Sequence, residues 1–211
     1  GANTTASNNT AVGSGALDAN TTGASNTALG YAALTANTTA ASNVSIGADS
    51  MTTNTTGAEN VAVGASALYT NATTNYNVAI GAGALYANAA ANNTAVGYHA
   101  LFANTTGTKN QAFGGAAGDA LTTGGNNIAI GYEALTSDTQ GSKTVAVGVG
   151  ALAVQNFTTA TDVYNVGVGH DAGVATTTGS ANTFIGGLAG KGNTTASDNT
   201  AVGRSALESN T

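Results

Sequence analysis

Large apolar residues recur along this chain at a nearly fixed interval, each immediately ahead of a glycine. Val12, Leu29, Ile46, Val63, Ile80, Val96, Phe113, Ile130, Val147, Val168, Ile185 and Val202 precede Gly13, Gly30, Gly47, Gly64, Gly81, Gly97, Gly114, Gly131, Gly148, Gly169, Gly186 and Gly203. The glycines are 17 residues apart except for one step of 16 and one of 21. A unit this short cannot enclose a core alone, so each must bury its apolar face on the next, and the period predicts a solenoid. Two residues ahead of the apolar marker stands Thr or a second aliphatic (Val44, Val61, Val78, Ile128, Val145, Val166), with a small residue, usually Ala, between them. This period-two alternation over β-branched residues predicts a short strand, with the aliphatics expected inside and the small residue on the other face.

The marker glycine ends the strand, where the backbone needs positive φ or close approach to its neighbour. An Ala and then a Leu follow in most turns, predicting a second short strand or a tight corner that faces the core or a partner chain. Asn20, Asn37, Asn54, Asn71, Asn88, Asn104, Asn193 and Asn210 share the next column, commonly followed by Thr-Thr-Gly. Asn and Gly tolerate left-handed conformations, so this is the expected return turn. Another Asn column lies four residues before the marker glycine, including Asn9, Asn26, Asn60 and Asn77, with Thr144 in its place once. Parallel stacking at about 4.8 Å would let that column form an amide ladder. The expectation is therefore an all-β chain, a parallel β-solenoid (β-roll) of twelve turns of about 17 residues, running through residues 1–211 as one continuous rod roughly 55 to 60 Å long. A helical solenoid is disfavoured by the Gly, Asn and Thr content.

Composition narrows the function classes. Ten acidic and four basic residues give a net charge of −6, and only 7% of residues are charged. Lys109, Lys143, Lys191 and Arg204 are far apart, so no basic stripe for nucleic acid is expected. No apolar run of membrane-spanning length is present, so no membrane insertion by this segment is expected. The chain has no Cys and no Pro, which excludes disulfides and suits a backbone whose N–H groups are wanted in ladders.

The segments Asn9–Gly13, Asn60–Gly64 and Asn77–Gly81 (Asn-Thr-Ala-Val-Gly, Asn-Val-Ala-Val-Gly and Asn-Val-Ala-Ile-Gly) resemble the head repeats of YadA-like trimeric autotransporter adhesins. They are similar too to related repeats of phage tail-fibre and bacterial surface-fibre proteins. The adhesin resemblance implies a left-handed parallel β-roll, three chains side by side, displayed outside the cell and binding host or matrix surfaces. It differs in period, the adhesin head repeat being shorter than 17 and lacking the recurrent Asn-Thr-Thr-Gly turn.

Several features are candidates for function. Tyr69, Tyr86 and Phe102 share a column in three consecutive turns, forming an aromatic strip for stacking a sugar or for packing against another chain. Threonines fill the column Thr21, Thr38, Thr55, Thr105, Thr122, Thr139, Thr177, Thr194 and Thr211, with eight more in the next, an arrangement similar to ice-binding solenoids and equally suited to a plain exposed β surface. Asn20, Asn37, Asn54, Asn104 and Asn193 each begin an Asn-x-Thr sequon, a candidate glycosylation site that turn composition also produces freely. The 21-residue step inserts four residues between Ala153 and Asn165; such insertions map to loops, so Phe157 and Tyr164 are candidates for recognition or for covering a neighbouring chain.

Catalysis, cofactor and metal are not expected. Paired glycines lack the Asp of a calcium β-roll repeat, His99 and His170 fall in different columns, and Glu133 is two turns from His99, about 10 Å and too far for proton transfer. The expectation is a non-enzymatic extracellular structural or adhesive fibre segment, on a cell surface or virion. A phage tail-fibre shaft and an ice-binding solenoid are the alternatives. Its expected partner is itself, as a homo-oligomer such as a trimer or as a head-to-tail filament, with a surface glycan or receptor as the alternative partner. At the ends, Asn3-Thr4-Thr5 repeats the turn motif after Gly1 and Ser209-Asn210-Thr211 stops within it. Neither end carries an atypical polar capping repeat, so the rod is expected to continue beyond both.

Overall fold

A computed structural model describes residues 5–209; Gly1, Asn3, Thr4, Asn210 and Thr211, which figure in the expectations for the ends and for the Asn and Thr columns, lie outside them. The described residues form an all-β parallel solenoid without helix, in two compact units, Gly1–Thr105 and Thr106–Thr211. The first holds β1 (Thr10–Val12), β2 (Thr27–Leu29), β3 (Val44–Ile46), β4 (Val61–Val63), β5 (Val78–Ile80) and β6 (Thr94–Val96). The second holds β7 (Gln111–Phe113), β8 (Ile128–Ile130), β9 (Gly141–Ser142), β10 (Val145–Val147), β11 (Thr161–Asp162), β12 (Val166–Val168), β13 (Thr183–Ile185) and β14 (Thr200–Val202). Within each unit the marker strands pair in parallel register one turn on, as in Val61↔Val78, Ala62↔Ala79 and Val63↔Ile80 in the first and Val145↔Val166 in the second. Only β9 and β11 stand apart, paired with each other.

The strand alternation is present, but its phase is the reverse of the sequence expectation. Ala28, Ala62, Ala79 and Ala95, the middle residues of their strands, are completely buried, whereas Val12, Leu29 and Ile80 are exposed. The reason is the width of the turn. The corner sends Leu34, Leu68, Leu85, Leu101, Leu135 and Leu152 into the interior, together with Ala33, Ala67, Ala84 and Ala100, all buried. Opposite that leucine row only a methyl group fits, so the strand turns its alanine inward and its branched residues outward.

The corner leucines hold an unusual backbone. Leu34, Leu68, Leu85 and Leu101 have φ between +50° and +54°. A left-handed conformation costs an L-residue roughly 1–2 kcal/mol, and full burial of a Leu side chain is worth about 1.5–3 kcal/mol, so burial prevails. Left-handed residues also include Ser25, Ser42 and Glu59, just ahead of the strand Asn column, but not the return-turn asparagines. The expected left-handed Asn turn is thus replaced by left-handed residues elsewhere in the turn.

Both Asn columns form ladders, the one before the strand including amide-to-amide bonds such as Asn60 Nδ2 to Asn43 Oδ1 at 3.3 Å and Asn199 Nδ2 to Asn182 Oδ1 at 3.1 Å. In the turn column an amide ladder runs along the axis, Asn37 Nδ2 donating to Asn20 Oδ1 at 2.8 Å, Asn71 to Asn54 at 3.1 Å and Asn104 to Asn88 at 2.8 Å. Asn20, Asn37, Asn54 and Asn71 also close their own turns, as Asn20 Nδ2 does on Gly23 O at 3.0 Å. In the column before the strand the ladder is mainly side chain to backbone. Asn43 N donates to Asn26 Oδ1 and Asn60 N to Asn43 Oδ1, both at 2.9 Å, while Asn43 Nδ2 reaches Gly57 O at 2.9 Å. These buried amides satisfy backbone groups that the short strands leave over.

Candidate functional site

The outward residues of the strands make two columns, three and one positions ahead of each marker glycine. In the first unit they read Thr10/Val12, Thr27/Leu29, Val44/Ile46, Val61/Val63, Val78/Ile80 and Thr94/Val96; in the second, Gln111/Phe113, Ile128/Ile130, Val145/Val147, Val166/Val168, Thr183/Ile185 and Thr200/Val202. No charged residue occurs in either column. Exposed tyrosines stand at the margins: Tyr31, Tyr98 and Tyr132 directly after the glycine, Tyr76 and Tyr164 ahead of the strand. The face is thus uncharged, with Thr, Gln or an aliphatic in one column, a large apolar residue in the other, and tyrosines at its borders. Sequence reading missed it because it placed these same residues inside; the signal was the small residue between them, which marks the narrow side of the turn.

Tyr69, Tyr86 and Phe102 do come together, with ring centroids 5.0 Å apart and interplanar angles of 4° and 15°. Because they stack on one another, both faces of Tyr86 are covered, and the strip offers edges rather than a sugar platform. The cluster continues through His99, whose ring lies 4.3 Å from Phe102 and 3.9 Å from Tyr98. His99 fits because the equivalent position one turn earlier is Gly83, where a Cβ would stand 2.6 Å from its ring.

The insertion is more ordered than a loop, and its two aromatics part company. Asn156 N pairs with Thr177 O in the usual way, so the extra residues lie within residues 157–162. Phe157 is buried and Tyr164 is exposed, so only Tyr164 remains a surface candidate. Lys143 Nζ bonds Asp162 Oδ2 at 2.6 Å and Tyr164 Oη at 2.9 Å. Asp162, and then Tyr164, hold the ammonium above the ordinary lysine pKa.

Beneath it Asp138 replaces the usual turn Asn and is buried. Its Oδ1 accepts Gly141 N and Phe157 N at 3.0 Å and its Oδ2 accepts Gln155 Nε2 at 2.6 Å, while Gln155 Oε1 accepts Asn165 Nδ2 at 2.8 Å. An asparagine has one oxygen where two are in use. Asp138→Asn should therefore lower stability by about 1–3 kcal/mol, the cost of a buried donor facing a donor, as measured by urea unfolding.

The remaining candidates are placed as follows. Asn20, Asn37, Asn54, Asn104 and Asn193 are buried, and their Nδ2 groups are donated, inside the turn as for Asn54 on Gly57 O at 2.9 Å and Asn193 on Ala196 O at 3.1 Å, or along the ladder as for Asn104 on Asn88 Oδ1 at 2.8 Å. A glycan on these nitrogens is incompatible with the folded turn, which corrects the glycosylation assignment. In the first Thr column hydroxyls donate along the axis, Thr21 to Thr38 O at 2.9 Å and Thr122 to Thr139 O at 2.9 Å; Thr22, Thr39, Thr56 and Thr73 in the second are exposed. His170 Nδ1 lies 3.0 Å from Asp171. Among the described residues there is no pocket and no group of three or more metal-ligating side chains. No family model, curated protein or solved structure matches the chain.

Proposed function

We propose that this chain is a non-enzymatic structural segment of an extracellular fibre, packing against copies of itself through the strand face. The observation that supports this most directly is the uncharged aliphatic face itself. A surface filament of the adhesin type and a phage fibre shaft are two settings for the same packing, in line with the resemblance of the Asn-Thr-Ala-Val-Gly segments. Surface or receptor binding would then fall to exposed residues outside that face.

The test separates association from folding. Val63→Asp/Ile80→Asp places two carboxylates on the face while the buried Ala62 and Ala79 are untouched. The expected result is an unchanged β circular dichroism spectrum with conversion of oligomer to monomer in sedimentation. An unaltered parent that sediments as a monomer at all concentrations would reject the reading.

A further inference from the structure

A regularly repeating face offers a comb of uncharged side chains at the same spacing at every turn, a large apolar residue in its second column throughout. A copy packed on it can slide by one turn, about 4.8 Å, and recover most of its contacts. A second copy is the partner whose own comb matches that spacing along its length. Within the second unit one place breaks the translation. Between β10 and β12 the step is 21 residues, and the surplus is pinned: Gln140 Nε2 donates to Thr158 O at 2.8 Å, β11 pairs with β9, and Lys143 is held by Asp162 and Tyr164. Lys143 and Tyr164 stand two residues ahead of Val145 and Val166, the first outward residues of β10 and β12, so the cluster sits at the margin of the aliphatic face. The turns on either side carry the neutral Asn126 and Ala181 in that column.

We propose that the Lys143–Asp162–Tyr164 cluster and the bulge it pins form a register key that admits a second copy of this chain on the strand face in one axial alignment. The inference rests on the self-association proposed above. In that alignment the keys of parallel copies lie at equal height. After a one-turn slide the fixed bulge meets a turn shaped for 17 residues, and the neighbour's aliphatic column is drawn over an ion pair, removing its hydration without supplying a partner. The aliphatic columns supply attraction; the key supplies discrimination.

Because the chain has no cysteine, single labels can be placed cleanly. A nitroxide on Lys109→Cys of one copy and a gadolinium label on Asp198→Cys of another lie on the same column, five turns apart and about 24 Å along the axis. Pulsed dipolar spectroscopy on the mixed full-length oligomer should give one narrow distance. Deleting residues 158–161, or making Lys143→Ser/Tyr164→Ser should the deletion not fold, should split it into several distances, spaced by axial steps of about 4.8 Å from whole-turn slides. Several distances in the unaltered chain, or one distance in both chain and variant, would overturn the key while leaving self-association standing. A monomeric unaltered chain would overturn both, and sedimentation of the labelled sample distinguishes that case.

Discussion

Gly64→Ala should cost more than about 4 kcal/mol of stability, beyond the usual range for a single substitution. Two effects combine at this position. The backbone has φ +137°, in a region held almost solely by glycine and costing another residue roughly 1–3 kcal/mol. A Cβ there would also stand 2.6 Å from the carbonyl carbon and oxygen of Gly81 and 2.9 Å from Ala82 N. Those atoms are backbone of the next turn and cannot rotate away. Relief requires the turns to part where Gly81 N donates to Val63 O at 2.7 Å, and neighbouring turns depend on that stacking for their own burial. The column contains its own control: Gly203 has φ +118° with nothing within 4 Å of a Cβ. Gly203→Ala should therefore show the conformational cost alone. Urea unfolding followed by circular dichroism measures both, and equal losses would show that inter-turn approach is not what selects glycine.

Much of the fold was legible because a solenoid writes its contacts into its period. The parallel pairing of Val61 with Val78, the Leu68 corner and the bracketing of the insertion all follow from counting 17. What counting cannot supply is phase. The alternation Val61-Ala62-Val63 is the same whether the valines or the alanine face inward, and a one-residue change of phase moves every side chain to the other face. The decision lies in the opposite wall of the turn, where Leu68 takes the available width. Hydrogen bonding was hidden for a related reason. Spacing places Asn43 beside Asn60 but does not show that Asn43 Oδ1 accepts from both the backbone N and the amide of Asn60, at 2.9 and 3.3 Å. The positive φ of Ser42 and Glu59 just ahead, +61° and +58°, is likewise not announced by the propensities of Ser and Glu. The candidate surface was missed by the same inversion, since it consists of the residues assigned to the core.

Phe184→Ala should cost about 3–5 kcal/mol, the range for emptying a buried aromatic site, and a leucine elsewhere should restore part of it. Phe184 occupies the strand position that is usually alanine and is completely buried. The space comes from the corner, where Gly173 and Gly190 stand in the leucine column. A Cβ on Gly190 would be 2.3 Å from Phe184 Cδ1, and one on Gly173 would be 2.6 Å from Cδ2. The turns thus exchange two corner leucines for one central ring, a swap that conserves volume while changing which wall supplies it. Gly190 is already left-handed at φ +65°, close to the +50° of Leu101 and Leu152, so leucine is geometrically at home there once the ring is gone. Gly190→Leu alone should destabilise, because its side chain meets Phe184. In the Phe184→Ala background the same substitution should stabilise, giving a coupling energy of at least about 2 kcal/mol in a double-mutant cycle. Urea unfolding of the parent, the two single variants and the double variant completes the cycle. Additive losses would mean that the ring and the glycines are not exchanging volume, and that the narrow interior inferred for every other turn does not hold here.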